Sequence, residues 1–238
     1  MKDVNKIVAE AHAFLKEKIS PGISTAEINL LGEKFIENYG AEPSFRGYRG
    51  YPASVCVSIN QEVVHGIPSE ERILKEGDIV SLDIGALYKG FHGDAARTVG
   101  VGKINKEAAD LIDITEKAFY EGIKKAELGN NLSDISHAIQ SFVEKNDYSV
   151  VRQYVGHGIG TEMHEDPQIP NFGPPGRGPR LRKGMTLALE PMVNTGGCQV
   201  KTLADGWTVV TEDESLSAHY ENTIVLTDNG PEILSILN

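Results

Sequence analysis

The sequence predicts an α+β fold in a single domain, 1–238, made of two related halves with sheets together at the centre and helices outside. Three observations carry this expectation. Helical periodicity gives way to strand-like patterning and then returns. Several pieces recur at a constant interval. Four acids stand inside apolar, strand-like sequence.

Taken in order, "VNKIVAEAHAFLKEKI" sets Ile7, Val8, Ala11, Phe14 and Leu15 at helical spacing. "SPGIS" stops this helix, and Thr25 is the expected cap of a second, with Ile28, Leu31, Phe35 and Ile36 facing inward. "YPASVCVSINQEVVHGIP" reads as strand, turn, strand. "GDIVSLDIGALYKGFHGDAARTVGV" reads as two strands joined by the turn "YKGFHG", which would hold His92. Helices return from about Lys106 to Lys145, broken at "LGNNLS".

The recurrence is explicit. "PGISTAEINLLGEKFIENYG" resembles "LGNNLSDISHAIQSFVEKNDY", and "LKEGDIVSLD" resembles "LRKGMTLALE". Gly22 and Gly129, Gly77 and Gly184, and Asp83 and Glu190 are related by one offset, since 129 − 22, 184 − 77 and 190 − 83 all equal 107. "HGIP" from His65 also echoes "HGIG" from His157. The expected halves run roughly from 1 to 105 and from 106 to 238. Asp83 and Glu190 then hold equivalent strand ends and converge between the halves, a natural place for a cation.

Composition excludes several classes. The chain has 238 residues, 40% hydrophobic and 24% charged, ordinary for a globular protein. A net charge of −11 with no Lys/Arg cluster argues against a nucleic-acid partner. The two cysteines, Cys56 and Cys198, form no CxxC pair, which argues against a disulfide framework or a thiolate zinc site. The N-terminal run is charged throughout, without the apolar core of a signal peptide. No apolar run approaches the roughly 20 residues of a membrane helix. A cytoplasmic protein with no membrane partner is the expectation.

The acids are the chemical signal. Asp83 in "IVSLDIGALY", Asp94 in "FHGDAARTV", Glu190 in "TLALEPMV" and Glu221 in "AHYENTIVL" all lie in apolar surroundings. Buried charges need a partner or a metal. Only His157 and Arg97 offer themselves from the sequence, so a divalent metal is the better compensation. Carboxylates with an imidazole form a hard donor set suited to two ions such as Mn, Fe, Co or Zn, which activate water. His12 and His137 fall on helices and read as surface or packing residues. His65, His157 and His164 stand at Gly/Pro-punctuated strand ends, where functional side chains are displayed.

Together, "HGIP", "SLDIGALYKGFHGD", "GHGIGTEMHEDP", "ALEPMV" and "HYENTIVLT" closely resemble the bacterial type I methionine aminopeptidases, from about Gly22 to Leu234. The resemblance implies the pita-bread fold, a duplicated arrangement with antiparallel sheets inside, helices outside and a dinuclear metal centre between the halves. It implies Asp83, Asp94, His157, Glu190 and Glu221 as ligands of two divalent ions (Co, Mn, Fe, Zn or Ni), Asp94 and Glu221 bridging. Glu190 would also shuttle a proton. His65 would contact substrate near its amino end and scissile amide, and His164 the peptide carbonyl and tetrahedral intermediate. Phe45, Tyr48, Tyr51, Cys56, Met163 and Trp207 would form the methionine pocket. Asn60 and Ser217 match positions around a monovalent-cation site in some members. The implied substrates are N-termini starting with Met before a small residue, on nascent chains at the ribosome, and the implied state is a monomer.

The chain also departs from that family. It begins at "MKDVNKIVAEA", without a preceding helical stretch, and no zinc-binding extension is expected. Met163 stands where some relatives carry Phe, and Phe45 where some carry Cys. The spacing from His164 to Glu190 is too short for the helical insertion of type II enzymes. "NFGPPGRGPRLRKG" is expected as a loop near the entrance. The alternatives are a prolidase or aminopeptidase P, which usually carry an extra N-terminal domain, and a non-catalytic binding module, which typically loses metal ligands.

Overall fold

Helix α1 (Lys2–Lys18) and α2 (Thr25–Asn38) precede strands β1 (Glu42–Pro43), β2 (Val55–Ile59), β3 (Glu62–Val64), β4 (Ile79–Tyr88) and β5 (Phe91–Gly100) in the computed structural model, which describes residues 1–237. Helices α3 (Lys106–Ile123) and α4 (Leu132–Lys145) follow. The rest of the chain supplies β6 (Ser149–Val150), β7 (Gly156–Gly158), β8 (Glu165–Ile169), β9 (Thr186–Leu189), β10 (Met192–Asn194), β11 (Val200–Thr202), β12 (Val209–Thr211), β13 (Ser217–His219), β14 (Glu221–Thr227) and β15 (Gly230–Ile233).

Local chemistry sets the boundaries. Ser24, not Thr25, caps α2: its Oγ accepts the Glu27 N–H at 3.1 Å. Thr25 is already helical, and its hydroxyl is committed to Ser69, donating to the carbonyl at 3.0 Å and accepting the N–H at 2.8 Å. Asn105 caps α3 through the Ala108 N–H. The "LGNNLS" break is the start of α4, where Asp134 accepts the Asn131 N–H at 2.8 Å in a capping box. The β4–β5 turn is tighter than the sequence suggested. Only Lys89 and Gly90 turn, at φ 51° and 80°, the left-handed pair of a primed two-residue hairpin. Phe91 and His92 therefore belong to β5.

The main sheet runs β1-β4-β5-β14-β9-β7-β8, with β2 also on β4 and β15 also on β14. Neighbours pair antiparallel throughout. Two small sheets, β13-β10-β6 and β11-β12-β3, flank it. The α1–α2 pair buries Val8, Leu15, Ile28 and Ile36 against Val55, Leu82 and Ile84. The α3–α4 pair buries Leu111, Phe119, Ile135 and Ile139 against Leu187 and Ile224. No helix among the described residues is long and apolar enough to cross a membrane.

The interval of 107 recurs in three dimensions. Helices α2 and α4 start and stop at that offset, since 132 − 25 and 145 − 38 both equal 107. The isolated bridges Ser24↔Ile73 and Asn131↔Arg180 repeat it. So do the hydrogen bonds from Gly22 N to Leu74 O, 2.8 Å, and from Gly129 N to Leu181 O, 3.0 Å. These matches support the reading of two related halves.

One close approach bears on the site. A β-carbon on Gly158 would lie 2.4 Å from the Asp166 carbonyl oxygen of the neighbouring strand. Backbone cannot yield as a side chain can, so the strand holding His157 tolerates only glycine there. Gly158→Ala should destabilise the fold by roughly 1–3 kcal/mol, the usual cost of overpacking. An unchanged urea midpoint would contradict this.

Candidate metal centre and substrate cavity

Five consecutive strands each present one chemical group. In sheet order these are Asp83 on β4, Asp94 on β5, Glu221 on β14, Glu190 directly after β9, and His157 on β7. In a flat sheet β5 and β7 would stand three strand spacings apart, about 14 Å. Yet His157 Nε2 lies 3.8 Å from Asp94 Oδ2 and 3.8 Å from Glu190 Oε1. The sheet therefore curls around these side chains. Donor atoms of Asp94, His157 and Glu221 all fall within 4.8 Å of one another.

The cluster is desolvated and short of partners. Asp94 is 3% exposed and Glu221 2%. Asp83 Oδ1, Asp94 Oδ1 and Glu221 Oε1 have no hydrogen-bond partner. Burial pushes the Asp83 and Glu190 carboxyls up to about 7. Burial, reinforced by the neighbouring acids, holds Asp94 and Glu221 well above the usual carboxylate range. The Nδ1 of His157 is 2.9 Å from the Gly158 carbonyl, which can only accept, so Nδ1 carries the proton and Nε2 presents its lone pair to the acids. Orphaned hard oxygens around a bare imidazole nitrogen fit a divalent cation.

Arg97 does not neutralise the cluster. It lies three residues after Asp94 on one strand, so the two project to opposite faces. Its guanidinium donates to the carbonyls of Ala96 (2.7 Å), Glu221 and Ser235 (3.1 Å) and to Asn222 Oδ1 (2.6 Å), and sits 4.4 Å over the Tyr220 ring.

The acids share a cavity of about 370 Å³ with an apolar wall. Phe45, Tyr51, Cys56 and Met163 form one buried cluster with Ala53, and Tyr48, Ile67 and Trp207 pack on it. Trp207 meets Tyr51 edge-on at 5.2 Å. His65, at φ 60°, faces the edges of Tyr154 and Trp207 at 5.6 and 6.1 Å. His164 stacks on Tyr48, with its Nδ1 2.8 Å from the tyrosine hydroxyl.

The histidines on helices divide between packing and surface, as expected. His12 is buried, its Nε2 donating to the Ala95 carbonyl, and His137 is exposed. His92 bonds Ser44 Oγ at 2.8 Å. The loop 171–184 begins beside the cluster, where the Asn171 Nδ2–H donates to the Glu190 carbonyl at 2.9 Å, and it docks on the start of α4, where Gly176 N–H meets Asp134 and Arg177 N–H meets Ser133. Ser217 N–H donates to the Asn60 carbonyl, so those two residues do lie together. Sequence reasoning passed over Arg49 and Tyr154, which line the cavity, and His219, which approaches Glu190 from behind. The spacing of His219 two residues before Glu221 was the available signal for a shared face.

A cation must displace protons held by the acids, so its affinity should rise with pH through about 7, where Asp83 and Glu190 titrate. The stability signs follow. Raised carboxyls stabilise the metal-free fold at low pH, and that contribution is lost as pH rises through about 7. Burial holds His12 down at about 3 and His65 and His219 at about 4, which costs stability as pH falls below their unfolded value. The melting-temperature gap between Mn-loaded and EDTA-treated protein cancels much of that opposing effect. It should widen from about pH 6 to about pH 8. A narrowing gap would contradict displacement of carboxyl protons.

Comparison with known proteins accords with this geometry. The model of metallopeptidase family M24 matches residues 1–228. A methionine aminopeptidase of Clostridium acetobutylicum is 57% identical over 236 residues, covering 99% of this chain and 94% of the relative. Methionine aminopeptidase 1 of Bacillus subtilis is 54% identical, covering 99% and 94%. The crystal structure of a methionine aminopeptidase from Thermotoga maritima superposes with a TM-score of 0.98 at 48% identity, covering 100% of this chain and 95% of that one. A curled antiparallel sheet ringed with acids, backed by helices and shared with these relatives, places the chain in metallopeptidase family M24, among the methionine aminopeptidases.

Proposed function

We infer that the chain removes N-terminal methionine from peptides and proteins. One observation carries the reading: the 370 Å³ cavity joins a carboxylate–imidazole cluster with unpartnered oxygens to an apolar wall containing Cys56 and Met163. A soft, polarisable wall suits a thioether side chain. The relatives named above support the same substrate.

Asp83, Asp94, His157, Glu190 and Glu221 would hold the cation centre. Five donors, four of them carboxylates able to bridge, suit two divalent ions from among Co, Mn, Fe, Zn and Ni. When bound, such ions acidify a water molecule and polarise the scissile carbonyl. Glu190 takes a proton on a carboxylate oxygen and returns it to the leaving amine nitrogen. The Tyr48 hydroxyl lies 2.8 Å from His164 Nδ1, and with that hydroxyl as donor Nε2–H would be left to stabilise the developing oxyanion. Desolvation, with His157 beside it, lowers His164 below the ordinary imidazole range, so it would act as a neutral donor. His65 lies 6.1 Å from the Trp207 ring, and it would contact the amide next to the methionine. Tyr48, Arg49 and His164 also line the cavity, and their bulk would favour a small second residue. Asn60 and Ser217 together suit a monovalent cation, with Ser217 Oγ buried and unpartnered. Nascent chains at the ribosome are the natural source of such N-termini.

Metal-stripped protein should release methionine from Met-Ala-Ser only after a divalent ion is restored, and should leave Leu-Ala-Ser and Ala-Pro-Ser intact. Cleavage of Ala-Pro-Ser would move the specificity to the prolyl peptidases, and binding of metal without any cleavage would point to a binding module. His164→Ala should lower kcat about 10²- to 10³-fold, the cost of one oxyanion donor, with metal content unchanged. Metal loss in that variant would make His164 a ligand instead. Asp94→Asn should abolish both metal binding and turnover, and full activity in metal-saturated buffer would refute its placement in the centre.

A further inference from the structure

The acid cluster is approached from behind by a histidine that the mechanism above does not use. His219 ends β13 and is 2% exposed. Its backbone is fixed on both sides: the N–H donates to Thr98 Oγ1 at 2.8 Å, and Thr98 Oγ1 donates to its carbonyl at 2.9 Å. Its Nε2 lies 3.5 Å from Glu190 Oε2 and 4.0 Å from Glu221 Oε2, and has no hydrogen-bond partner. A buried ring nitrogen facing two acid oxygens demands an account. A lone pair aimed at them would be repelled, whereas an N–H would be attracted. Both the neutral Nε2–H tautomer and the imidazolium present that N–H, so the attraction does not depend on the charge of the ring.

The surroundings agree. The ring also borders a separate cavity of about 570 Å³, lined by Ala9 of α1, Ile112 of α3 and Leu82 of β4. Arg97, the nearest cation on that side, is committed to the carbonyls and the ring already described. The two oxygens of Glu190 are thus divided. Oε1 faces His157 at 3.8 Å, inside the cluster, and Oε2 faces His219.

We propose that His219 is a positioning residue of the metal centre, whose Nε2–H holds Glu190 Oε2 from outside and so presents Oε1 to the ion. The proposal rests on Glu190 being a ligand. Glu221 Oε2 is the secondary acceptor, which ties the end of β9 to β14 across the site. His219 acts through Glu190 and touches neither ion nor substrate.

Two measurements test this. The first is calorimetric Mn(II) affinity of the full chain, as wild type, His219→Gln and His219→Met. Glutamine keeps an N–H donor, so His219→Gln should stay within about threefold of wild type. His219→Met keeps bulk without a donor and should weaken binding about 10- to 100-fold, as loss of a partner that orients a ligand does. Equal affinity in wild type and His219→Met would overturn the proposal. The second needs no substitution: long-range ¹H–¹⁵N correlation of histidine-labelled, Zn-loaded wild type. A proton on Nε2 of His219 supports the proposal. A bare Nε2 with the proton on Nδ1 overturns it and would make His219 a ligand. This readout decides the matter even if His219→Met does not fold. A wild-type chain that binds no divalent ion would overturn the reading of the centre itself, and the proposal with it.

Discussion

Repulsion among four carboxylates in one desolvated space is the constraint around which this molecule is arranged. Asp83, Asp94, Glu190 and Glu221 cannot all ionise there without a countercharge, and the chain supplies no permanent cation among them. Arg97, the one nearby candidate, is turned to the other face and spent on carbonyls. The alternatives are protons or metal ions. A protein of net charge −11 also draws cations toward it, which lowers the barrier to filling such a site.

Meeting that constraint requires a particular sheet. Five adjacent strands must curl until groups three strand spacings apart come within 4 Å of each other, and the helix pairs on the outside back that curved sheet with their two apolar clusters. Strand-to-strand distance at the His157 segment is kept short by glycine. The apolar wall of the cavity beside the acids is a further cluster, distinct from both helix-backed cores. The acids and the helix-backed cores thus occupy different faces of one sheet.

Much of this was legible in the residues. Four helices were readable because their apolar spacing is regular. The four acids stood out because a charge inside a strand-like apolar run is costly. Other features were not readable, for identifiable reasons. Ser24 and Thr25 are adjacent hydroxyls, and only the competing bond from Thr25 to Ser69 decides which one caps. The extent of the "YKGFHG" turn depended on two left-handed residues, one of them a lysine. The convergence of the acids needed the strand order, which no local pattern contains. Strand alternation would have excluded Arg97 as a partner and could have placed His219 with Glu221. The membership of the apolar wall came from resemblance, since an aromatic residue looks alike in a core and in a pocket.

The order in which the five strands take their groups has a consequence for assembly. Asp83 and Asp94 share one hairpin and can be set early by local pairing. Glu221 reaches the sheet only near the end of the chain, by pairing with Ala96, and it then separates the hairpin from the strands bearing Glu190 and His157. The last long strand synthesised is therefore the one inserted in the middle. Contacts of such sequence separation form slowly, because a long loop must close before they give any return. Until β14 docks, Asp83 and Asp94 are not joined to Glu190 and His157, so the cluster of acids is completed only when the topology is.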